Sequence, residues 1–107
     1  MDEREFNGHA DAMLAQLEAA LEKSGADLDF EMKPGGVLEL EFADGSKIIV
    51  NRHTAAREIW VAAKSGGYHF KHEPSGRWIA SRDGEELLAV LARAITEQAG
   101  APITLGC

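Results

Sequence analysis

Val37-Leu38-Glu39-Leu40-Glu41-Phe42, followed by Asp44-Gly45 and then Lys47-Ile48-Ile49-Val50-Asn51, is the stretch that decides the fold. The first six residues alternate, with Leu38, Leu40 and Phe42 on one side, as a strand with one buried face does. Asp-Gly between two apolar runs is a strong signal for a β-hairpin. The pair is therefore antiparallel, and its neighbours extend it in both directions. Towards the C-terminus, Glu58 to Ala63 reads as a strand carrying Ile59, Trp60 and Val61. Ser65-Gly66-Gly67 turns into Tyr68-His69-Phe70, and Pro74-Ser75-Gly76 turns into Arg77-Trp78-Ile79-Ala80. Towards the N-terminus, Pro34-Gly35-Gly36 is a turn. Asp27-Leu28-Asp29-Phe30-Glu31-Met32 alternates with Leu28, Phe30 and Met32 inward and the three acids outward.

An amphipathic helix flanks the strands on each side. Residues 5–23 place Phe6, Ala10, Met13, Leu14, Leu17 and Leu21 on one stripe, and Ser24-Gly25 ends the helix. Residues 84–99 form the second helix, with Leu87, Leu88, Leu91, Ala94 and Ile95 on its stripe. Asp83 and Glu86 are spaced for a capping box. Strands joined by such short turns cannot run parallel, because parallel crossovers need about a dozen residues. The economical arrangement is α+β, a two-layer sandwich. Both helices pack on one face of a five- to six-stranded antiparallel sheet, with the first strand at an edge beside the first helix. Residues 1–107 make one domain, and the tail over 100–107 is expected to fray.

Net charge is −7 and is unevenly placed. Residues 1–31 hold nine acids and two bases, whereas residues 32–107 hold nine of each. Such a pole repels nucleic acid and anionic membrane and attracts cations or a basic protein surface. The plainer reading is a solvated face that keeps the protein soluble. At about 100° per residue, Asp11, Glu18 and Glu22 share one narrow stripe beside the apolar face of the first helix. No apolar run nears the roughly 18 residues of a membrane span, and the acidic start resembles neither a secretory signal nor a transit peptide, so a cytoplasmic location is expected. Cys107 is the only cysteine, which excludes an internal disulfide and a multi-cysteine metal site.

Other candidates are weaker. His9, His53, His69 and His72 lack the spacing of a helical zinc pair and read as ordinary surface or sheet histidines, with His9 an added ligand candidate beside the helix acids. His69 and His72 cannot share a face of a continued strand. If Ile59 and Val61 are core, Trp60 lies on the open face of the sheet; a packed tryptophan is the alternative. No nucleophile–base set is evident.

Four separated blocks resemble the frataxin family, in its bacterial, CyaY-type branch. They are Gly35-Gly36-Val37-Leu38, Asp44-Gly45-Ser46-Lys47-Ile48-Ile49-Val50-Asn51-Arg52, Ile59-Trp60-Val61-Ala62 and Lys64-Ser65-Gly66-Gly67-Tyr68-His69-Phe70; Trp78-Ile79 and Asp83-Gly84-Glu85 continue the match. The chain departs from the family pattern at His53, Ala55 and Glu58, where glutamines and a proline are usual. It departs again at Ala19 and Lys23, where acids are common. The resemblance implies a non-enzymatic regulator and iron donor in iron–sulfur cluster assembly. It implies weak surface binding of Fe(II) or Fe(III) by Glu18, Glu22, Asp27, Asp29 and Glu31, with Asp11 and Glu3 next. It further implies contact with a cysteine desulfurase and an iron–sulfur scaffold protein. Glu18, Glu22 and Asp29, and also Asn51, Arg52 and Trp60, are the expected partner surfaces. The protein is expected to be a monomer at low iron. The alternative is a metal-triggered oligomer for iron storage or detoxification with ferroxidase-like activity. Carboxylates are hard ligands that suit such ions, and with Ala19 and Lys23 in the ridge weaker binding is expected.

Overall fold

The element order is helix, six strands, helix. The computed structural model describes residues 2–25 and 28–100. Helix α1 spans Glu3–Ser24, strands β1–β6 span Leu28–Lys33, Val37–Phe42, Lys47–His53, Glu58–Ala63, Gly66–His72 and Trp78–Ala80, and helix α2 spans Leu87–Ala99. The strands pair antiparallel in chain order, β1-β2-β3-β4-β5-β6, so β1 and β6 are the edges. Inward residues of the sheet (Leu38, Leu40, Ile48, Val50, Ile59, Phe70) and the stripes of both helices form one buried core. Leu17 and Leu21 of α1 meet Leu91 and Ile95 of α2 over Leu38, Leu40 and Val50. Both helices therefore cover one face, and the other face is open. No helix among the described residues is long and apolar enough to cross a membrane.

Helix α1 begins two residues before the sequence reading because Asp2 caps it, accepting the backbone N–H of Glu5 at 2.8 Å. It ends at Gly25, whose φ of 66° is the left-handed cap expected there.

Three sequence expectations need correction, and one element is new. Helix α2 starts at Leu87 rather than residue 84, and the Asp83–Glu86 capping box does not form. The chain over 84–86 is still tied to the sheet: Glu86 bridges Ile79, and the Glu85 carbonyl accepts the Ala80 N–H. The Asp83 carboxylate accepts the Glu85 N–H instead, and Glu86 sits at the N-cap without a side-chain bond. Gly66 and Gly67 are not turn residues. They begin β5, where Ala63 pairs with Gly66, and the turn is Lys64-Ser65. Met32 points to the helical face like Leu28 and Phe30 but is exposed rather than buried: on the edge strand it borders an open groove with Asp11, Leu14 and Arg52, while Leu28 and Phe30 pack on the core. Finally, Thr54–Ala56 forms a 3₁₀ turn that the sequence reading did not anticipate, closed by Arg57 at φ 58°.

Candidate metal and partner surfaces

The acids of α1 lie on its flank because its stripe of Phe6, Ala10, Met13, Leu14, Leu17 and Leu21 is buried. Glu3 sits in the first turn with Glu5, where carboxylates also complement the helix dipole. Glu22 is exposed and Glu18 half-buried. Asp11 is engaged: it forms an ion pair with Arg52 of β3. Arg52 reaches it by crossing Gly36, whose own carbonyl accepts the Arg52 N–H at 3.0 Å. Asp27 lies outside the described residues.

On β1 the period of two puts Asp29 and Glu31 on the open face, away from the helices. Their register partners are Glu41 and Glu39 on β2, so two like-charge pairs face each other across the strands. Directly opposed like charges destabilise a sheet. Lys33 and Lys47 relieve this from either side of Glu39, at 3.0 and 3.3 Å, and their hydrogen bonds hold its carboxyl below the usual range. Asp29, Glu31 and Glu41 remain exposed. The sequence reading missed Glu39 and Glu41 as members of this surface, although the alternation of β2 already pointed them outward. Among the described residues, no three His, Cys, Asp or Glu side chains converge to hold an ion.

The middle of the open face is aromatic. The indole of Trp60 on β4 lies between the imidazoles of His53 on β3 and His69 on β5. The centroid separations are 3.9 and 4.4 Å, with the planes within 10°. Trp60 Nε1 donates to Glu58 Oε1 at 2.8 Å, and that oxygen lies 3.8 Å from His69 Nδ1. His53 is fixed in turn because its Nδ1 accepts the Ala56 N–H at 3.3 Å. Asn51 is the register partner of Trp60 and shares its face. Arg52 does not: alternation sends it to the helical side and to Asp11. Of the three residues expected to form one surface, the fold joins Asn51 and Trp60 and places Arg52 behind them. His53 and Glu58, two departures from the family pattern, become the supports of Trp60. Only strand register could reveal that.

A second aromatic group joins the layers. His9 of α1 stacks on His72 of β5 with centroids 4.2 Å apart and planes at 16°. His72 meets Trp78 edge-on at 5.0 Å, and Trp78, buried, meets Phe6 at 5.9 Å. β5 continues through His72, so His69 and His72 do take opposite faces, as their spacing required. Partial burial, with His9 alongside, pushes the imidazole pKa of His72 down.

Comparison with known proteins gives one consistent result. The profile of a Frataxin-like domain matches residues 1–101. An iron–sulfur cluster assembly protein CyaY of Dechloromonas aromatica is 55% identical over 105 residues, covering 98% of this chain and 99% of that protein. The protein of the same name from Vibrio cholerae is 50% identical over 103 residues, covering 96% and 97%. Among solved structures, the frataxin of Psychromonas ingrahamii superposes with a TM-score of 0.91 at 34% identity over the whole of both chains. A trimeric frataxin of Saccharomyces cerevisiae superposes at 0.65 with 26% identity, covering 90% of this chain and 79% of that one.

Proposed function

The chain belongs to the frataxin-like family, and we propose that it serves iron–sulfur cluster assembly as a non-catalytic regulator and iron donor in the cytoplasm. Full-length relatives bear the name of cluster assembly proteins, which supplies the process. The observation that carries the iron-donor reading is the placement of charge. The entire net charge of −7 resides in the first 31 residues, and among the described residues Glu18 and Glu22 lie on the α1 flank and Asp29 and Glu31 on the outward face of β1.

Carboxylate oxygens are hard donors suited to iron and similar ions. Side chains on a regular helix and strand do not wrap an ion, and no group of three converges among the described residues. An ion held there keeps several waters, binds weakly and leaves readily. That suits iron as cargo rather than as a resident catalytic centre. The proposed iron ligands are Glu18, Glu22, Asp27, Asp29 and Glu31, with Glu3 and Asp11 secondary. Asp11 is available only when Arg52 releases it. A cysteine desulfurase with a basic surface is the partner for Glu18, Glu22 and Asp29. The scaffold protein is the partner for the open face at Asn51 and Trp60, where an aromatic anchor sits among histidines and the aliphatic Val37 and Ile49.

A cluster-assembly assay with purified desulfurase and scaffold tests this reading. The triple variant Glu18→Lys, Glu22→Lys, Asp29→Lys is expected to lose desulfurase binding and its effect on the assembly rate. Fe(II) is expected to perturb amide signals of residues 18–31 and to leave α2 unchanged. Full desulfurase affinity of the variant at low salt, or uniform small shifts along the chain, would overturn it. Sizing with excess iron separates this reading from a storage oligomer, since a monomer is expected at low iron.

A further inference from the structure

We propose that His9 and His72, in a groove that Met13 also lines, form a binding site for a late transition-metal cation of the copper–nickel class. This site is separate from the carboxylates. Three features of the groove between α1 and the β5–β6 turn support it. First, two imidazoles from different elements are brought together at 4.2 Å, and neither forms a hydrogen bond or ion pair among the described residues. Their nitrogen lone pairs are therefore uncommitted, unlike that of His53, which is spent on the Ala56 N–H. Second, no carboxylate lines the groove. His9, Met13, Gln16, His72 and Trp78 border it. Imidazole nitrogen and thioether sulfur favour copper, nickel and zinc over magnesium, calcium or manganese, with copper the strongest of the divalent series. Third, the site is poised. His9 and Met13 are four residues apart on one helix, so they lie on neighbouring turns of one face. His72 is held across from them by its edge contact with the buried Trp78.

Binding requires the His9 ring to turn out of the stack so that one nitrogen from each ring meets the ion. His9 is exposed on the helix flank and supplies that freedom, whereas His72 is the fixed member. The site does not depend on the iron reading, because it uses none of Glu18, Glu22 or Asp29.

The test is titration of the full chain with Ni(II), followed by paramagnetic broadening of amide and ring signals. Broadening is expected first at His9, His72 and the Trp78 indole. His9→Gln, an exposed change that leaves the core intact, is expected to weaken binding at least tenfold, and His72→Gln likewise. His53→Gln is expected to leave the isotherm unchanged, and excess Mg(II) is expected not to displace the ion. Broadening that begins at His53 and His69 or at residues 18–31, displacement by Mg(II), or unchanged affinity in His9→Gln would each overturn the proposal.

Discussion

Substituting alanine at Gly36 is expected to damage the protein in two separable ways. Gly36 has φ 76°, a conformation that a residue with a Cβ adopts only at a cost of roughly 1–2 kcal/mol. The added Cβ also falls 2.7 Å from Cγ, Cδ and Nε of Arg52, so the arginine must leave its course to Asp11. That ion pair is partly exposed, with 23% and 55% side-chain accessibility, so solvent screening limits its loss to at most about 1 kcal/mol. The total is roughly 1–3 kcal/mol. Gly35 is the control: its φ is 87°, but an added Cβ meets nothing within 4 Å, so Gly35→Ala should cost the strain alone. Urea unfolding followed by far-UV circular dichroism gives both values. In an Arg52→Ala background the Gly36→Ala penalty should fall to that of Gly35→Ala, a coupling of about 1 kcal/mol in a double-mutant cycle. Equal penalties for the two glycines in the native background, or a Gly36 penalty indifferent to Arg52, would refute the reasoning.

Phe70→Ala removes a fully buried ring between the layers and should cost about 3–5 kcal/mol in urea unfolding; a loss under 1 kcal/mol would mean the core is not packed as described. Glu86→Ser gives α2 the side-chain cap that it lacks and should raise stability by about 0.5–1 kcal/mol, read as a higher urea midpoint; no gain would mean the strand bridge at Glu86 governs that terminus. The folded state holds His72 below its ordinary 6.5, so between these values the unfolded chain binds the extra proton. Stability should therefore be full above about pH 6.5 and fall as pH drops towards the lowered folded value; His72→Leu should flatten that limb, and an unchanged limb would locate the proton elsewhere. Asp44, which accepts bonds from the Ser46 N–H and hydroxyl, has its carboxyl lowered from 3.8 to about 2. Its stabilisation of the hairpin should be intact above pH 3.8 and disappear as pH falls through about 2, and Asp44→Asn should remove this lower step from an acid titration.

Much of the fold was legible in the chain because its signals are local. The alternation of Leu38, Leu40 and Phe42, the Asp44-Gly45 turn and the stripe from Phe6 to Leu21 each follow from the geometry of one element. They determined the antiparallel sheet, the two helices on one face and the edge position of β1. Boundaries were less legible where another element competes for the same backbone. Asp83 and Glu86 have the spacing of a capping box, but pairing of residues 85 and 86 with β6 takes the backbone groups first. The Gly66-Gly67 pair looks like a turn, yet two residues before it suffice to reverse the chain.

The charge pole of residues 1–31 was likewise written in the sequence, as were the outward acids Asp29 and Glu31. Only the tertiary structure decided what those groups touch. Glu39 and Glu41 joined the acidic face because strand register sets them opposite Glu31 and Asp29. Asp11 was drawn into an ion pair because Gly36 lets Arg52 cross the sheet towards α1. His53 and His69, 16 positions apart, became the two faces of one indole, and His9 and His72 became a stacked pair between layers. Charge and periodicity are properties of a segment and survive without the rest of the chain. Partnership between side chains depends on register and layer packing, which exist only once the whole sheet has formed and the helices have closed over it.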